Sequence, residues 1–150
     1  NDNDFDFMSL VFDRDEHKTY DKALDRINSL KRKNKFKKTS IHAITSNPCF
    51  ELWFLMHFTF SSKPYAATGH KSSAGCLIDD LRKYKIFENY SKSICSYFNE
   101  IIDKMEMAIG NSERLLENRE ENKHHLNPST FVHELVIILK NISNEQSCQK

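Results

Sequence analysis

The chain has 150 residues, of which 39% are hydrophobic and 29% charged, and its 22 basic and 21 acidic side chains give a net charge of +1. This length and composition predict one globular domain and exclude an intrinsically disordered chain. The longest apolar run, residues 52–56, is far shorter than the roughly 20 residues of a membrane span. The three glycines form neither a Walker loop nor a GxGxxG turn, so nucleotide hydrolysis and dinucleotide chemistry are not expected. Four scattered cysteines and no visible signal peptide predict a reduced, cytoplasmic protein.

The first part of the chain predicts a βαβ unit and therefore an α/β fold with a small parallel sheet. Residues 7–12 form a nearly continuous apolar run, which predicts a strand buried on both faces. Apolar residues recur at three- and four-residue intervals over 20–30 and predict a helix. Residues 40–45 predict a second strand. Strand, helix and strand within so short a span favour a right-handed, parallel arrangement.

A turn and a buried helix are predicted next. Ser46 or Asn47 is the expected N-cap, with Pro48 at or near the first helical position. Residues 50–58 have almost no polar face, so this helix should be buried on nearly all sides. Residues 59–73 are rich in serine, threonine, lysine and small side chains, and they predict a loop or lid.

The rest of the chain predicts a helical half, over residues 75–140, packed on the core. Helices are expected over residues 75–84 and 91–120, followed by a frayed end or hinge over 117–125. Residues 128–130 should cap a last helix. The predicted core face of that helix comprises Phe131, Val132, Leu135, Val136, Ile138 and Leu139.

Two aspartates follow the first predicted strand directly. In open α/β sheets the functional crevice lies outside the carboxyl ends of the strands, which is where Asp13 and Asp15 fall. Carboxylates at positions i and i+2 can converge on one Mg²⁺, which proteins commonly hold with one or two carboxylates plus water and substrate phosphate. The alternative is that Asp13 caps the following turn while Asp15 is a solvated surface charge.

Four further polar residues are candidates for chemistry. Glu51 lies among apolar neighbours and needs a partner, because a buried carboxylate is costly unless it is paired or bound to metal. That partner could be a metal, a metal-bound water, an arginine or His57. Asn47 is explained equally well as an N-cap, and His57 as a hydrogen-bonded core residue. His17 could contact phosphate or act as an acid or base, or it could be a surface histidine.

A basic run occupies residues 31–38. Clustered lysine and arginine give sequence-independent, salt-sensitive affinity for nucleic-acid backbones. The alternative is a solvated helix end, where cations are favourable. Because the run precedes the second strand, it is expected to lie away from the acids. Its members are Lys31, Arg32, Lys33, Lys35, Lys37 and Lys38.

Two motifs together resemble the RloB-like family, whose members typically show a VFDRDEH-like run and then an SNPCFELW segment leading to HF. Residues 11–17 read VFDRDEH, and residues 43–53 read AITSNPCFELW, with His57 and Phe58 completing the second motif. Looser similarity continues at Ala108, Ile109 and Leu115 and over residues 128–136. The resemblance covers residues 8 to 139.

The resemblance implies a Toprim-like core and a role in prokaryotic anti-phage or restriction-linked defence, often beside an ATPase. It matches Asp13 and Asp15 to the DxD acids that hold Mg²⁺ or Mn²⁺ in Toprim nucleases. The expected activity is hydrolysis of RNA or DNA, with RNA slightly preferred. The resemblance matches Asn47 and Glu51 to the SNPCFE segment without assigning their roles. Our hypothesis is that Glu51 orients the attacking water or an outer-shell ligand, that Arg14 and His17 contact phosphate, and that Asn47 and His57 support the site.

One departure from the family pattern weakens this expectation. Toprim sites also use a glutamate after an earlier strand, in an EGEKTE-like segment, and nothing here matches it. The chain is therefore expected to be a single domain lacking its first strand–helix portion. The rival interpretation is a non-catalytic subunit that binds nucleic acid or protein through the basic run and the long C-terminal helices, while an ATPase partner supplies energy. A third is a structural domain with an empty site.

Overall fold

The computed structural model describes residues 5–93, 97–117 and 122–147. Its strands are β1 (Phe7–Asp13), β2 (Ser40–Asn47) and β3 (Ser129–Thr130). Its α-helices are α1 (Tyr20–Lys31), α2 (Glu51–Met56), α3 (Ser73–Leu81), α4 (Phe98–Ile101), α5 (Met105–Leu116) and α6 (Val132–Ser147). Short 3-10 turns cover Asn34–Phe36, Lys85–Phe87, Ile102–Lys104 and Lys123–His125.

The strands form one sheet in the order β1-β2-β3. β1 and β2 are parallel, in a register that begins with Phe7 opposite Ser40 and ends with Asp13 opposite Ser46. β3 pairs antiparallel with the end of β2. The predicted α/β fold, with a parallel βαβ unit and a helical C-terminal half, is confirmed.

The prediction that β1 is buried on both faces is wrong. In the described part of the chain β1 lies at the edge of the sheet, and Phe7 and Val11 are 48% and 54% exposed. Its other face packs Met8, Leu10 and Phe12 toward the core beneath α1. An apolar run alone does not distinguish a doubly buried strand from an edge strand with one covered face.

Two hydrophobic clusters hold the sheet between layers of helix. The smaller lies between α1 and the sheet and is built on Tyr20, Leu24 and Ile27. The larger joins α2, α3 and α5 and contains fully buried Leu52, Met56, Leu77, Leu81 and Phe87. Since α2 begins four residues after β2, this second core fixes the chain immediately beyond the carboxyl end of the sheet.

The long helix predicted over residues 91–120 is wrong in its first half. Residues 91–93 are irregular, a 3-10 turn separates α4 from α5, and residues 94–96 and 118–120 of the predicted span lie outside the described residues. The break turns Phe98 and Ile102 outward, 60% and 39% exposed, while Ile101 is buried. The last helix forms as predicted, but Leu139 on its expected core face is 56% exposed.

Residues 59–72 form the predicted loop, and its middle is fixed by hydrogen bonds. Tyr65 is 2% exposed. Its backbone amide donates to Asn127 Oδ1 at 3.0 Å, and Asn127 Nδ2 donates to the carbonyl of Tyr65. The Tyr65 hydroxyl donates to Asp80 at 3.1 Å. This loop is therefore tied to both α3 and the segment before β3.

Residues 118–121 of the frayed end or hinge predicted over 117–125 lie outside the described residues, and the part from residue 122 onward is held by hydrogen bonds. The carbonyl of His124 accepts a hydrogen bond from the Tyr20 hydroxyl at 2.8 Å, and that of His125 accepts one from Arg14 at 3.0 Å. These contacts hold the 3-10 turn against α1 and the end of β1.

Within the described residues, no helix is long and apolar enough to span a membrane.

Candidate functional site

The turn after β1 carries the two aspartates and is bonded to the turn after β2. The Arg14 amide donates to the Ser46 carbonyl and the Asp15 amide to the Pro48 carbonyl, each at 2.8 Å. Asp15 has a φ of +39°, a left-handed conformation that aspartate tolerates better than most residues. The backbone of one turn therefore fixes the position of the other.

Glu51 begins α2 directly after the second turn and is 2% exposed. Its Oε1 accepts a hydrogen bond from the Tyr90 hydroxyl at 3.0 Å and lies 3.5 Å from the ammonium of Lys92. Its Oε2 is buried without a well-formed hydrogen bond from the described residues. The weakly donating thiol of Cys49 is the other polar side chain beside the carboxylate.

Glu51 lies close enough to Asp13 for its charge to act on the Asp13 carboxylate. Burial raises the pKa of Asp13, and the negative charges of Glu51 and Asp15 raise it further against the opposing effects of the Phe50 amide and Lys92. Burial also opposes ionisation of Glu51. Hydrogen bonds from Cys49, its own backbone and Tyr90, together with the charge of Lys92, outweigh burial and lower the pKa of Glu51. Glu51 is thus the firmly ionised member of the pair.

Cys49 and Tyr90 are hydrogen-bond donors at this site. Burial first, and then the charge of Glu51, raises the pKa of the Cys49 thiol and of the Tyr90 phenol well above their ordinary values. Both groups are therefore protonated at neutral pH. A thiol nucleophile needs a lowered pKa, so a nucleophilic role for Cys49 is excluded.

Asn47 lies at the end of β2, and the prediction that Ser46 or Asn47 caps α2 is wrong. The residue before α2 is Phe50, with no side-chain cap. Capping requires a side-chain acceptor, whereas Asn47 uses its amide group to donate to the Leu126 carbonyl at 2.6 Å. Asn47 therefore ties the turn after β2 to the segment before β3, which supports the position of the acids indirectly.

The two histidines differ in their surroundings. His57 is fully buried, and its Nδ1 bonds to the Trp53 carbonyl at 2.8 Å within the same turn of chain. It is not among the groups that act on Glu51, so the partners of Glu51 are Tyr90, Lys92 and Cys49. His17 is exposed, and its backbone amide closes the turn onto the Arg14 carbonyl at 3.2 Å.

Arg14 points away from Asp13 and Asp15 toward the 3-10 turn. Its guanidinium donates to the His125 carbonyl and lies 5.7 Å from the centre of the Tyr20 ring. These contacts give Arg14 a structural role. A phosphate contact by Arg14 stays a prediction.

The basic run lies at the other end of the sheet from the acids. It connects α1 to Ser40, which pairs with Phe7 at the start of β1, whereas Asp13 ends β1. A seven-residue strand separates the two by roughly 20 Å. Lys35, Lys37 and Lys38 border a surface groove of about 480 Å³ there.

The acidic turn could offer a divalent cation only a small protein ligand set. Within the described ranges, no three histidine, cysteine or acidic side chains are arranged to hold a metal ion. Two carboxylates, Asp13 with Glu51 or Asp15, are sufficient for Mg²⁺ when water and phosphate complete its shell. Glu51 Oε2 is buried and has no well-formed hydrogen bond from the described residues, so it is the Glu51 oxygen that could serve as a ligand.

Comparison with known proteins identifies the family. A family model described as RloB-like protein matches residues 1–139. The chain belongs to the RloB-like family. The match spans Asp13, Glu51, Tyr90 and Lys92, so the whole candidate site lies within the RloB-like region. No significant match was found among curated proteins or among solved structures.

Two members of this site, Tyr90 and Lys92, were missed by sequence reasoning. They lie outside both RloB-like motifs and about 40 positions beyond Glu51. The available signal was indirect: a glutamate in an apolar segment requires a polar partner. The sequence did not show which of many tyrosines and lysines would supply it.

Proposed function

We propose that this RloB-like chain is a divalent-cation-dependent phosphodiesterase that hydrolyses RNA or DNA at the turn after β1. The observation that carries the proposal is the pairing of half-buried Asp13 with buried Glu51, whose Oε2 is unpaired. Neighbouring carboxylates with a free oxygen attract a cation, and a crevice at the carboxyl end of a parallel strand is the usual functional position in such sheets.

The chain's own residues have separate roles in this proposal. Asp13 is the primary cation ligand, with Asp15 or Glu51 as the second. Bound Mg²⁺ or Mn²⁺ would supply polarisation of the phosphate and a more acidic water. Tyr90 and Cys49 hold Glu51 ionised and in place. Asn47 and the backbone bonds between the two turns keep the acids together.

The choice of nucleic acid as substrate rests on the family resemblance. The resemblance of Asp13 and Asp15 to the DxD acids of Toprim nucleases supports this choice, and it also supports a proposed role in anti-phage defence beside an ATPase partner. Of the two polymers, we propose RNA over DNA as the substrate.

The test compares the wild-type chain with the Asp13→Asn, Asp15→Asn double variant on labelled RNA and DNA, with Mg²⁺ or with EDTA. Asparagine tolerates the left-handed backbone of Asp15, so the turn should be kept. We expect Mg²⁺-dependent cleavage to fall at least about 100-fold, since losing even an outer partner of a metal ligand costs about 10- to 100-fold.

The matched control is Asp25→Asn with Asp103→Asn, which removes two exposed carboxylates elsewhere on the chain. It should cleave like the wild type. Equal cleavage by the wild type and the Asp13/Asp15 variant would remove the proposed site. A wild-type chain that cleaves neither polymer would contradict the catalytic proposal.

The position of the basic run favours a second candidate function, binding of nucleic acid without cleavage. Lys35, Lys37 and Lys38 border a groove that is remote from the acids and does not depend on a cation there. Binding that persists in EDTA, and that is lost when these lysines are changed to glutamine, would support this function. Binding that requires Mg²⁺ and Asp13 would argue against it.

A further inference from the structure

Lys92 is a cation placed beside the acidic pair but loosely held. Its ammonium lies 3.5 Å from Glu51 Oε1, longer than the roughly 2.7–2.9 Å of a well-formed charge-assisted hydrogen bond. Its side chain is 64% exposed, whereas that of Glu51 is 3% exposed. An ammonium has three donors, so Lys92 retains donors that face solvent and can bind a second anion.

The chain is anchored two residues before Lys92, which restricts where its ammonium can reach. Tyr90, two residues earlier, is buried and packs against the rings of Phe54, Phe87 and Tyr97. The Tyr90 carbonyl accepts a hydrogen bond from Arg82 at 2.9 Å. The Lys92 side chain can therefore change its partner at the site while its backbone stays in place.

The charge balance at the site changes when a divalent cation binds. Lys92 acts on both Asp13 and Glu51, lowering the pKa of each. It supplies one positive charge to two carboxylates and leaves Glu51 Oε2 unpaired. A divalent cation would satisfy the same carboxylates more completely and would repel the ammonium.

We propose that Lys92 neutralises the Asp13–Glu51 pair when no divalent cation is bound, and contacts a non-bridging phosphate oxygen of the substrate when one is. The proposal rests on the proposed function, because it takes a phosphodiester as the ligand. It makes Lys92 both a competitor of the cation and a ligand of the phosphate. Removing its charge should therefore affect the two ligands in opposite directions.

The test uses Lys92→Gln in the full chain, with two binding measurements that require no turnover. Calorimetric titration with Mn²⁺ should give a Kd about fivefold tighter than that of the wild type, the size expected from a partly exposed ion pair. Fluorescence anisotropy with a short labelled oligonucleotide, in Ca²⁺, should give a Kd about fivefold weaker. Lys92→Arg keeps the charge and should reproduce the wild type in the Mn²⁺ titration.

Lys85→Gln is the matched control, since Lys85 is an exposed lysine on the preceding 3-10 turn. It should change neither constant. If Lys92→Gln leaves either constant unchanged or weakens both, or if the wild type does not bind Mn²⁺, the proposal is overturned. The two opposite shifts in a protein that does not cleave would support the role of Lys92 while contradicting the phosphodiesterase function. If changing Asp13 and Asp15 abolishes cleavage while Lys92→Gln changes neither binding constant, the phosphodiesterase function is supported and the role of Lys92 is contradicted.

Discussion

Asp13 and Glu51 are neighbouring carboxylates whose pKa values move in opposite directions. Glu51 has the donors Tyr90 and Cys49 and is stabilised as an anion. For Asp13, burial and the negative charges of Glu51 and Asp15 outweigh the favourable effects of the Phe50 amide and Lys92, so the ionised form is destabilised. The ionised Asp13 carboxylate therefore costs stability in the cation-free protein, and a carboxylate destabilised in this way is typical of sites that bind a cation.

The first stability prediction concerns Asp13→Asn in EDTA. The folded state raises the pKa of Asp13 above 3.8, so the ionised side chain weakens the fold at pH 7, and this penalty disappears as the pH falls through the raised value toward 3.8. We expect the variant to have a Tm about 2 °C higher at pH 7, and to match the wild type near pH 3. Thermal unfolding followed by circular dichroism measures both.

Asp25→Asn is the control for that measurement, because Asp25 is an exposed carboxylate on α1. It should leave the Tm unchanged at both pH values. A lower Tm for Asp13→Asn at pH 7 would show that the Asp13 carboxylate stabilises the fold, and it would contradict the repulsion on which the candidate site depends. Excess Mg²⁺ should raise the Tm of the wild type but not that of Asp13→Asn.

Single residues show the limit of sequence reasoning at this site. The apolar neighbours of Glu51 predicted correctly that it is buried with polar partners. They did not identify Tyr90, because its hydrogen bond to Glu51 depends on how α3 and the aromatic cluster pack against α2, which a sequence pattern does not show. Asn47 shows a similar limit, since its sequence position suits a cap but its partner is 79 residues away.

For individual helices and strands, the spacing of apolar residues predicted the structure well where the element packs against its neighbours through one face only. The pattern of α1 matched the observed helix because only one of its faces meets the sheet. The pattern over residues 91–120 failed because an apolar stripe does not show where a helix breaks. β3 was missed because it has only two residues and is defined by its pairing with Ser46 and Asn47.

The second stability prediction concerns the loop at 59–72, through Asn127→Ala. Asn127 exchanges two hydrogen bonds with the backbone of Tyr65, and breaking them leaves backbone groups unsatisfied, at a cost of about 1–3 kcal/mol each if buried. We expect faster amide hydrogen exchange over this loop, and a free energy of unfolding lower by roughly 2 kcal/mol. Exchange mass spectrometry and urea denaturation measure the two effects.

Lys63→Ala is the matched control in the same loop. It removes an exposed ion pair with Asp80, which should contribute only about 0–1 kcal/mol. Exchange at the loop that is equally fast in both variants would mean that Asn127 does not anchor Tyr65. Amide hydrogen exchange over the loop that is as slow in Asn127→Ala as in the wild type would also mean that Asn127 does not anchor Tyr65.

At the scale of the whole molecule, the parallel pair places acids and lysines at opposite ends of the sheet. Sequence order predicted this separation, because the basic run precedes β2 while the aspartates follow β1. A separation of roughly 20 Å corresponds to about six phosphates of a single strand at 3.4 Å spacing. A single-stranded nucleic acid could therefore contact both the acidic turn and the lysine groove only if it has more than about six phosphates.

The last prediction concerns Lys35, Lys37 and Lys38, all changed to glutamine. If each contacts one phosphate of a long single strand, the slope of log K against log salt should become shallower by about 2, because each contact contributes about 0.7. Affinity for a trinucleotide at the acidic turn, and for Mn²⁺, should not change, since neither ligand reaches the lysines. Anisotropy titrations over a range of salt concentrations measure the slope.

The charge-matched control changes three lysines that are exposed elsewhere, Lys22, Lys85 and Lys123, to glutamine. An equal loss in that control would show that overall charge, and not the groove at the amino end of the sheet, attracts the nucleic acid.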